Sequence, residues 1–423
     1  MEKQRLSELP DELVLKILSS LPMFEETLAT RLISKRWKGP WKLAPNAIFD
    51  DDDKKRKSFE TFMSFVYGSL LSNDARILER LEFKLSQNYA ASDISFWVQI
   101  AVNRSVRELR IDLFGKTLEL PSCLSTCRTL KEVTLHELCI KVVPPWFRLP
   151  SLKTLHLLSV TFSGGNSVSS LLETCPVLEC LVVEQTKDDN NVMISNIDVP
   201  TLRNLSIRSL SKGKRKKSTY VEGSNGFVIK APSLTDLNFE DTLSNFVMFE
   251  SMPEVIKANI QVICDQSDHF IGSLTSIQHL SLCSLTSKTP YPACTVFSSL
   301  KHLELCTCSA GWANLLACIL NAAPALRSLK LKSKHSANYS DPMNLWKEPT
   351  DVPDFLSKHL EILEWRQYEG TEQERNVAEY ILSNASSLKM ATFSTRCRNK
   401  NHRMLRKLKP MRRVSKTCQL VFD

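Results

Sequence analysis

Residues 300–305 read Leu300-Lys301-His302-Leu303-Glu304-Leu305, a frame in which leucine returns after three residues and again after two. Side chains alternate along an extended strand, so Leu303 and Leu305 share one face and His302 and Glu304 share the other. The frame recurs on both sides of this stretch. Its central residues are Leu81, Leu109, Val133, Leu155, Leu181, Leu205, Leu237, Ala258, Leu280, Leu303, Leu329, Leu363 and Ala391. The steps between them run from 21 to 34 residues. Pro150, Pro176, Pro200, Pro232 and Pro324 each stand two residues before a frame, where a residue without an N–H marks strand entry or helix exit.

The mean step, about 26 residues, falls inside the range of leucine-rich repeats. One such unit cannot bury its own leucines, whereas stacked units can. The expected fold class is therefore α/β: a curved leucine-rich-repeat solenoid whose strands form a parallel sheet. Each unit is expected to hold one short strand and a returning helix or irregular segment. Val168–Thr174, Trp312–Asn321 and Asn376–Asn384 carry helix-like patterns. Such a surface grips a macromolecule rather than forming a catalytic pocket. Its expected substrate face includes Arg110, Asp112, Thr134, His156, Arg208, Asn238, Glu240, His279, His302, Glu304, Lys330 and Arg366. These charges are mixed in sign, unlike a nucleic-acid track.

The chain has 423 residues, 43% of them hydrophobic and 24% charged. This excludes a disordered chain. No apolar run approaches the ~18 residues of a membrane span, and the first residues have no secretory core. Thirteen cysteines without a regular framework suit a reducing compartment, so the location expected is cytoplasmic and/or nuclear. The net charge of +9 is localised: residues 396–416 hold ten Lys or Arg and no acid. A second basic run spans 212–217, within the long repeat.

Motifs for phosphate loops, serine nucleophiles and zinc proteases are absent, as is any C-x-x-C. His279, Cys283, His302 and Cys306 suggest zinc by composition. Each His lies four residues from its Cys, roughly 13 Å along a strand, too far for bonds of ~2 Å. Cys306 and Cys308, like Cys123 and Cys127, lack the partners of a zinc site in sequence. No catalytic residue, metal site or cofactor is expected.

The first forty residues follow a different pattern. Leu13, Ile17 and Leu21 recur at helical spacing beside Val14 and Leu18, with Pro10 at the start and Pro22 at the end. The stretch LPDELVLKILSSLP (9–22), followed by ISKRWKGPW (33–41), resembles an F-box. Residues 25–26 are Glu-Glu where Lys-Asp is more typical of plant F-boxes, and the segment is one residue longer. The resemblance implies an all-α three-helix module that docks on a Skp-type adaptor and, through it, a cullin. Candidate adaptor contacts are Leu9, Pro10, Leu13, Ile17, Leu18, Leu21, Pro22, Leu28 and Leu32, a set that core and interface must share.

Residues 359–423 resemble the FBD domain of plant F-box proteins. Leu360, Leu363, Trp365, Tyr368, Glu374, Ala378, Ile381, Leu382, Leu388, Phe393, Leu405, Leu408, Ser415, Cys418 and Phe422 carry that likeness. The expected order there is strand, helix, strand, basic helix, strand: an α+β end capping the array. The whole resembles a plant F-box/FBD/leucine-rich-repeat protein, which implies a non-catalytic substrate receptor of an SCF-type ubiquitin ligase with an unknown target protein. The expected boundaries are 1–48 F-box, 49–75 linker and first cap, 76–350 repeats and 351–423 FBD domain. Two alternatives remain open. One is a hormone or inositol phosphate receptor on the same frame; the other is a nucleic-acid-associated protein using the basic C-terminal patch.

Overall fold

Every central residue of the recurring frame lies on a strand, with its side chain buried. The structure, a computed structural model, describes residues 9–51, 58–163, 168–185, 195–209, 226–241, 244, 246–250, 252–262, 274–284, 296–309, 311–333, 346, 352–395 and 406–422. The chain divides into two units, Met1–Gln185 and Thr186–Asp423.

The first unit begins with helices α1 (Asp11–Ser20) and α2 (Phe24–Ala29). Tight helical turns follow at Thr30–Leu32, Lys35–Lys38 and Pro40–Leu43, in place of a full third helix. Gly39 and Pro40 break the segment, so it closes in short turns. Strand β1 (Asn46–Asp50) starts at once, and helix α3 (Phe59–Ser72) fills much of the expected linker. Then come β2 (Arg80–Lys84), α4 (Ala91–Asn103), β3 (Glu108–Leu118), β4 (Glu132–Ile140), β5 (Thr154–Phe162), α5 (Val168–Leu172) and β6 (Cys180–Gln185). The six strands pair in parallel in chain order, each frame leucine opposite the next.

β1 was hidden from the leucine pattern because Ala44, Ala47 and Phe49 occupy the frame, all at most 1% exposed. Its Phe49 ring stacks on Phe83 with centroids 5.7 Å apart, and Phe83 in turn meets Trp97 at 5.2 Å. Asp51 closes the strand: its carboxylate accepts from the Ser86 and Gln87 amides at 2.6 and 2.9 Å and from the Tyr89 hydroxyl at 3.0 Å.

The second unit holds β7 (Ser195–Asp198), β8 (Asn204–Ser209), β9 (Gly226–Lys230), β10 (Asp236–Asp241), β11 (Phe246–Glu250) and β12 (Lys257–Val262). It continues through β13 (His279–Ser284), β14 (His302–Cys306), α6 (Trp312–Ala322), β15 (Ser328–Lys332), α7 (Asp354–Lys358), β16 (Ile362–Arg366), α8 (Glu372–Asn384), β17 (Met390–Phe393) and β18 (Gln419–Phe422). Strands β8, β10 and β12–β18 form a parallel sheet in that order. β7, β9 and β11 form a second parallel sheet, with β9 in the middle. In these three repeats the described part of the returning segment therefore includes a strand, where a helix or irregular run was expected. Phe227, Val228 and Ile229, like Val247, Met248 and Phe249, are β-branched or bulky residues that favour extended chain.

The C-terminal strands extend the same register as the repeats. Leu329, Leu363, Ala391 and Leu420 are successive Cα partners from β15 to β18. Between β16 and β17 lies α8, opened by a reciprocal capping box. Thr371 Oγ1 accepts from the Glu374 amide at 3.3 Å, and Glu374 Oε2 accepts from the amides of Thr371 and Glu369 at 3.0 and 3.1 Å. Behind it Trp365 packs on Trp312, Tyr368 and Phe393, with centroids 5.7, 5.3 and 6.0 Å away. Residues 396–405, most of the expected basic helix, and 212–217 lie outside the described residues; Arg406–Leu408 form one helical turn.

Three neighbouring strands bend at one level. Phe114, Glu137 and Ser159 have φ of 50°, 44° and 54°, in the left-handed region. Glu137 and Ser159 each follow one partner of the pair His136 and Leu158, and β3 shifts register between Asp112 and Lys116. For an L-residue this conformation costs about 1–2 kcal/mol. The Glu137→Gly chain is accordingly expected to unfold at equal or higher denaturant concentration than the parent. Glu137→Val, with a β-branched side chain at positive φ, is expected to lose more than about 1 kcal/mol. Equilibrium urea unfolding of the two variants checks the order.

Candidate functional site

Two surfaces offer themselves, the helical end and the polar face of the sheets. At the helical end, α1 divides the leucine-type residues by spacing. Val14 and Leu18 are 1% exposed and form the module's core with Phe24 and Trp37, also at 1%. Leu13, one residue away, is 46% exposed and Leu32 is 82% exposed. Of the expected contacts, Pro10, Leu13, Pro22 and Leu32 are exposed, and Leu9, Ile17, Leu21 and Leu28 are half-buried. Leu18 is core, because it follows Val14 by four residues on the inward stripe. Ile33 and Leu43, which are not among the expected contacts, are 47% and 49% exposed. Pro10 caps α1 from outside the helix, and Leu21 is extended as the residue before Pro22. An ion pair between Arg36 and Asp11, 2.7 Å long, ties the later turns to the start of α1.

This module is fused to the sheet. Phe24 of α2 meets Phe49 of β1 at 5.4 Å and Phe65 of α3 at 6.4 Å between centroids. Asn46 Nδ2 donates to the Ser19 carbonyl at 2.8 Å, and Asn73 Nδ2 to that of Ala44 at 3.0 Å.

On the sheets, all twelve expected face residues occupy positions that alternate with buried frame residues. In the first unit Arg110, Thr134 and His156 fall in one cross-strand row, and Asp112 and His136 in the next. In the second, His279 and His302 share a row. Asn238, Glu304 and Lys330 belong to another, while Arg208, Glu240 and Arg366 belong to a third.

Charges in these rows meet opposite charges. Arg110 Nε lies 3.5 Å from Glu82, Arg208 Nε 3.3 Å from Glu240, and Lys330 Nζ 2.9 Å from Glu304. Arg366 pairs with Glu364 on its own strand. Asp112, 5% exposed, lies 2.6 Å from His136 Nδ1 and accepts from the Phe114 amide at 3.3 Å. An amide relay runs across three strands: Asn259 Nδ2 donates to Asn238 Oδ1 at 2.7 Å, and Asn238 Nδ2 to Ser206 Oγ at 3.0 Å. The rings of His279 and His302 stack at 4.4 Å and 2°. Burial, then the charges of His279, Lys301 and Arg327, push the His302 pKa down, which favours a neutral stacked ring.

Three segments of the chain match known families. The F-box domain matches residues 6–39, the leucine-rich repeats of FBD-associated F-box protein At5g56370 match 94–264, and FBD matches 348–393. Along its whole length the chain is 80% identical to an FBD-associated F-box protein of Arabidopsis thaliana, At5g56560, which it also covers completely. It is 55% identical to the Arabidopsis F-box/FBD/LRR-repeat protein At5g56570, over 99% of this chain and 92% of that one. The chain belongs to the plant F-box/FBD/leucine-rich-repeat family.

Two buried cysteines of this F-box/FBD/leucine-rich-repeat chain, Cys123 and Cys175, lie in apolar surroundings. Burial pushes the thiols of Cys123 and Cys175 up to about 11, the reverse of what nucleophilic cysteines need. In the set His279, Cys283, His302 and Cys306, the two histidines stack on each other. Its cysteines instead meet Cys308: the sulfurs of Cys283, Cys306 and Cys308 all lie within 4.8 Å of one another. The readable signal was a Cys-x-Cys ending one strand beside a cysteine at the matching position of the strand before. No described helix is long and apolar enough to cross a membrane. A cavity of about 20 Å³ between β3, β4 and β5 is walled by Leu109, Ile111, Val133, Leu135 and Leu155, so it is a packing void in the core.

The Asp112 pair gives a direct test of how the face is held. Asp112→Ala leaves the Phe114 amide and His136 without their acceptor, and a loss of about 1–3 kcal/mol is expected. Lys330→Ala, which breaks a half-exposed ion pair, is expected to cost less than about 1 kcal/mol. Denaturant unfolding compares the two.

Proposed function

We propose that this chain is the substrate-recognition subunit of an SCF-type ubiquitin ligase. Its F-box seats on a Skp-type adaptor and, through it, on a cullin, in the cytoplasm, the nucleus or both. The polar face of its repeat sheets binds a target protein. The chain's contribution is positional: it raises the effective concentration of target lysines at the ligase, with no catalytic residue of its own.

The observation that carries this reading is the split of the F-box leucines. Val14, Leu18, Phe24 and Trp37 fill the module's core, yet Leu13, Leu32, Ile33 and Leu43 remain 46–82% exposed. A segment of about forty residues that keeps this much large apolar surface is built to cover it with a partner. An amphipathic helix that lays its outer stripe into a groove is a recurrent mode of such recognition.

The test is copurification with a Skp-type adaptor. Leu13→Asp combined with Leu32→Asp is expected to abolish adaptor capture while leaving the melting temperature within about 2 °C of the parent, because both side chains already face water. Leu18→Asp buries a charge and is expected to lower it by several degrees. Equal capture by the parent and the folded double variant sinks the proposal. Removal of residues 1–46 would also delete Ala44 and Asn46, which pack into the first strands, so the point variants are the cleaner probe.

A further inference from the structure

On β13 and β14, His279 is opposite His302 and Leu282 is opposite Leu305. One residue further, the same register sets Cys283 beside Cys306, on strands spaced about 4.8 Å apart. The two cysteines stand on the polar face, in the row that holds Arg208, Glu240 and Gln261 before them and Lys332 and Arg366 after them. Beyond β14 the chain brings Cys308 back over the pair. Its Sγ lies 3.0 Å from that of Cys306 and 3.6 Å from that of Cys283. Cys283 and Cys306 are 0% and 2% exposed, and Cys308 is half-buried.

A small apolar residue in a repeat core accounts for a cysteine such as Cys175, which is buried beside Thr174 and the Leu171 carbonyl. It does not account for two thiols side by side in a polar row with a third folded onto them. Three sulfurs sharing one ion at about 2.3 Å lie about 4 Å from one another. The observed spacings reach that arrangement with side-chain shifts below about 1 Å.

We propose that Cys283, Cys306 and Cys308 form a three-thiolate site for one thiophilic d10 metal ion, zinc(II) or copper(I). Each thiol releases its proton to water as its sulfur–metal bond forms, and no sulfur changes oxidation state. Three sulfurs complete a trigonal copper(I) shell. With zinc they leave a fourth position for water or for a donor atom from a bound partner. Cys308 is the entry side. The imidazoles of His279 and His302 sit at the other end of the same strands and are not ligands.

The test uses the full chain, reduced and freed of metal. Cadmium(II), a spectroscopic stand-in for zinc, and copper(I) are titrated separately, and alkylation of each cysteine is followed by peptide mass spectrometry. One equivalent of at least one ion is expected to produce a sulfur-to-metal charge-transfer band. The same equivalent is expected to protect Cys283, Cys306 and Cys308 from alkylation, while the exposed Cys318 stays reactive. Protection by copper(I) alone assigns the trigonal form, and protection by cadmium assigns the form with an open position. Cys308→Ser, the least buried change, is expected to weaken binding more than about 10-fold, the lower end of what even a lost supporting contact costs. Cys318→Ser is expected to bind as the parent does. Alkylation of the three thiols that neither ion alters overturns the proposal, as does parental affinity in a folded Cys308→Ser chain. Recovery of a Cys306–Cys308 disulfide from the reduced preparation also overturns it.

Discussion

A strand that carries Leu303 and Leu305 on one side cannot cover them by itself, and the rest of this molecule follows from that deficit. The hydrogen bonds of a parallel sheet put the equivalent leucines of the next repeat about 4.8 Å away, so each repeat buries its neighbour's side chains as well as its own. The consequence is visible in register. Leu280, Leu303, Leu329 and Leu363 are consecutive Cα partners, each at most 2% exposed. Polar residues are displaced to the other face at the same spacing. The surface available for recognition is therefore a by-product of the packing rule, and its chemistry is free to vary without touching the core.

The same rule explains how the helical end is attached. A separate domain on a flexible tether would leave the first leucine strand uncovered. Here β1 covers β2 with Ala47 and Phe49, and Phe24 of the F-box reaches into that layer. The F-box thus serves as the first cap of the array, and α3 completes the seal through Phe65, 5.8 Å from Phe49. A ligase docked on α1 would be held in fixed geometry to the first strands, which is what a positional mechanism requires.

The repeats were legible because burial demands one residue class at a fixed spacing. Where the class changed, legibility failed. Ala44, Ala47 and Phe49 satisfy the same three buried positions as Leu78, Leu81 and Phe83, but two alanines carry no leucine signal. At the other end, Leu420 and Phe422 occupy frame positions with only half-buried side chains, so a single leucine was all that packing required. The second sheet escaped for another reason. β7, β9 and β11 lie on the returning side, where strand and helix both satisfy the connection and only local side-chain shape decides. On α1, an aliphatic list could not separate Leu18 from Leu13, because a one-residue step turns a helix by about 100° and composition has no direction. The thiol cluster needed register as well, since Cys283 and Cys308 are 25 residues apart and meet only across neighbouring strands.

The polar face carries one further constraint on how a target can be chosen. Several of its charges are already paired, Arg208 with Glu240 and Lys330 with Glu304, so a partner gains little from meeting these singly. Displacing such a pair leaves one charge to be satisfied by the partner, and only a group with matching geometry does so without net loss. Under the proposed function, selection on this face comes from shape and from exchange of partners within rows, not from an overall field.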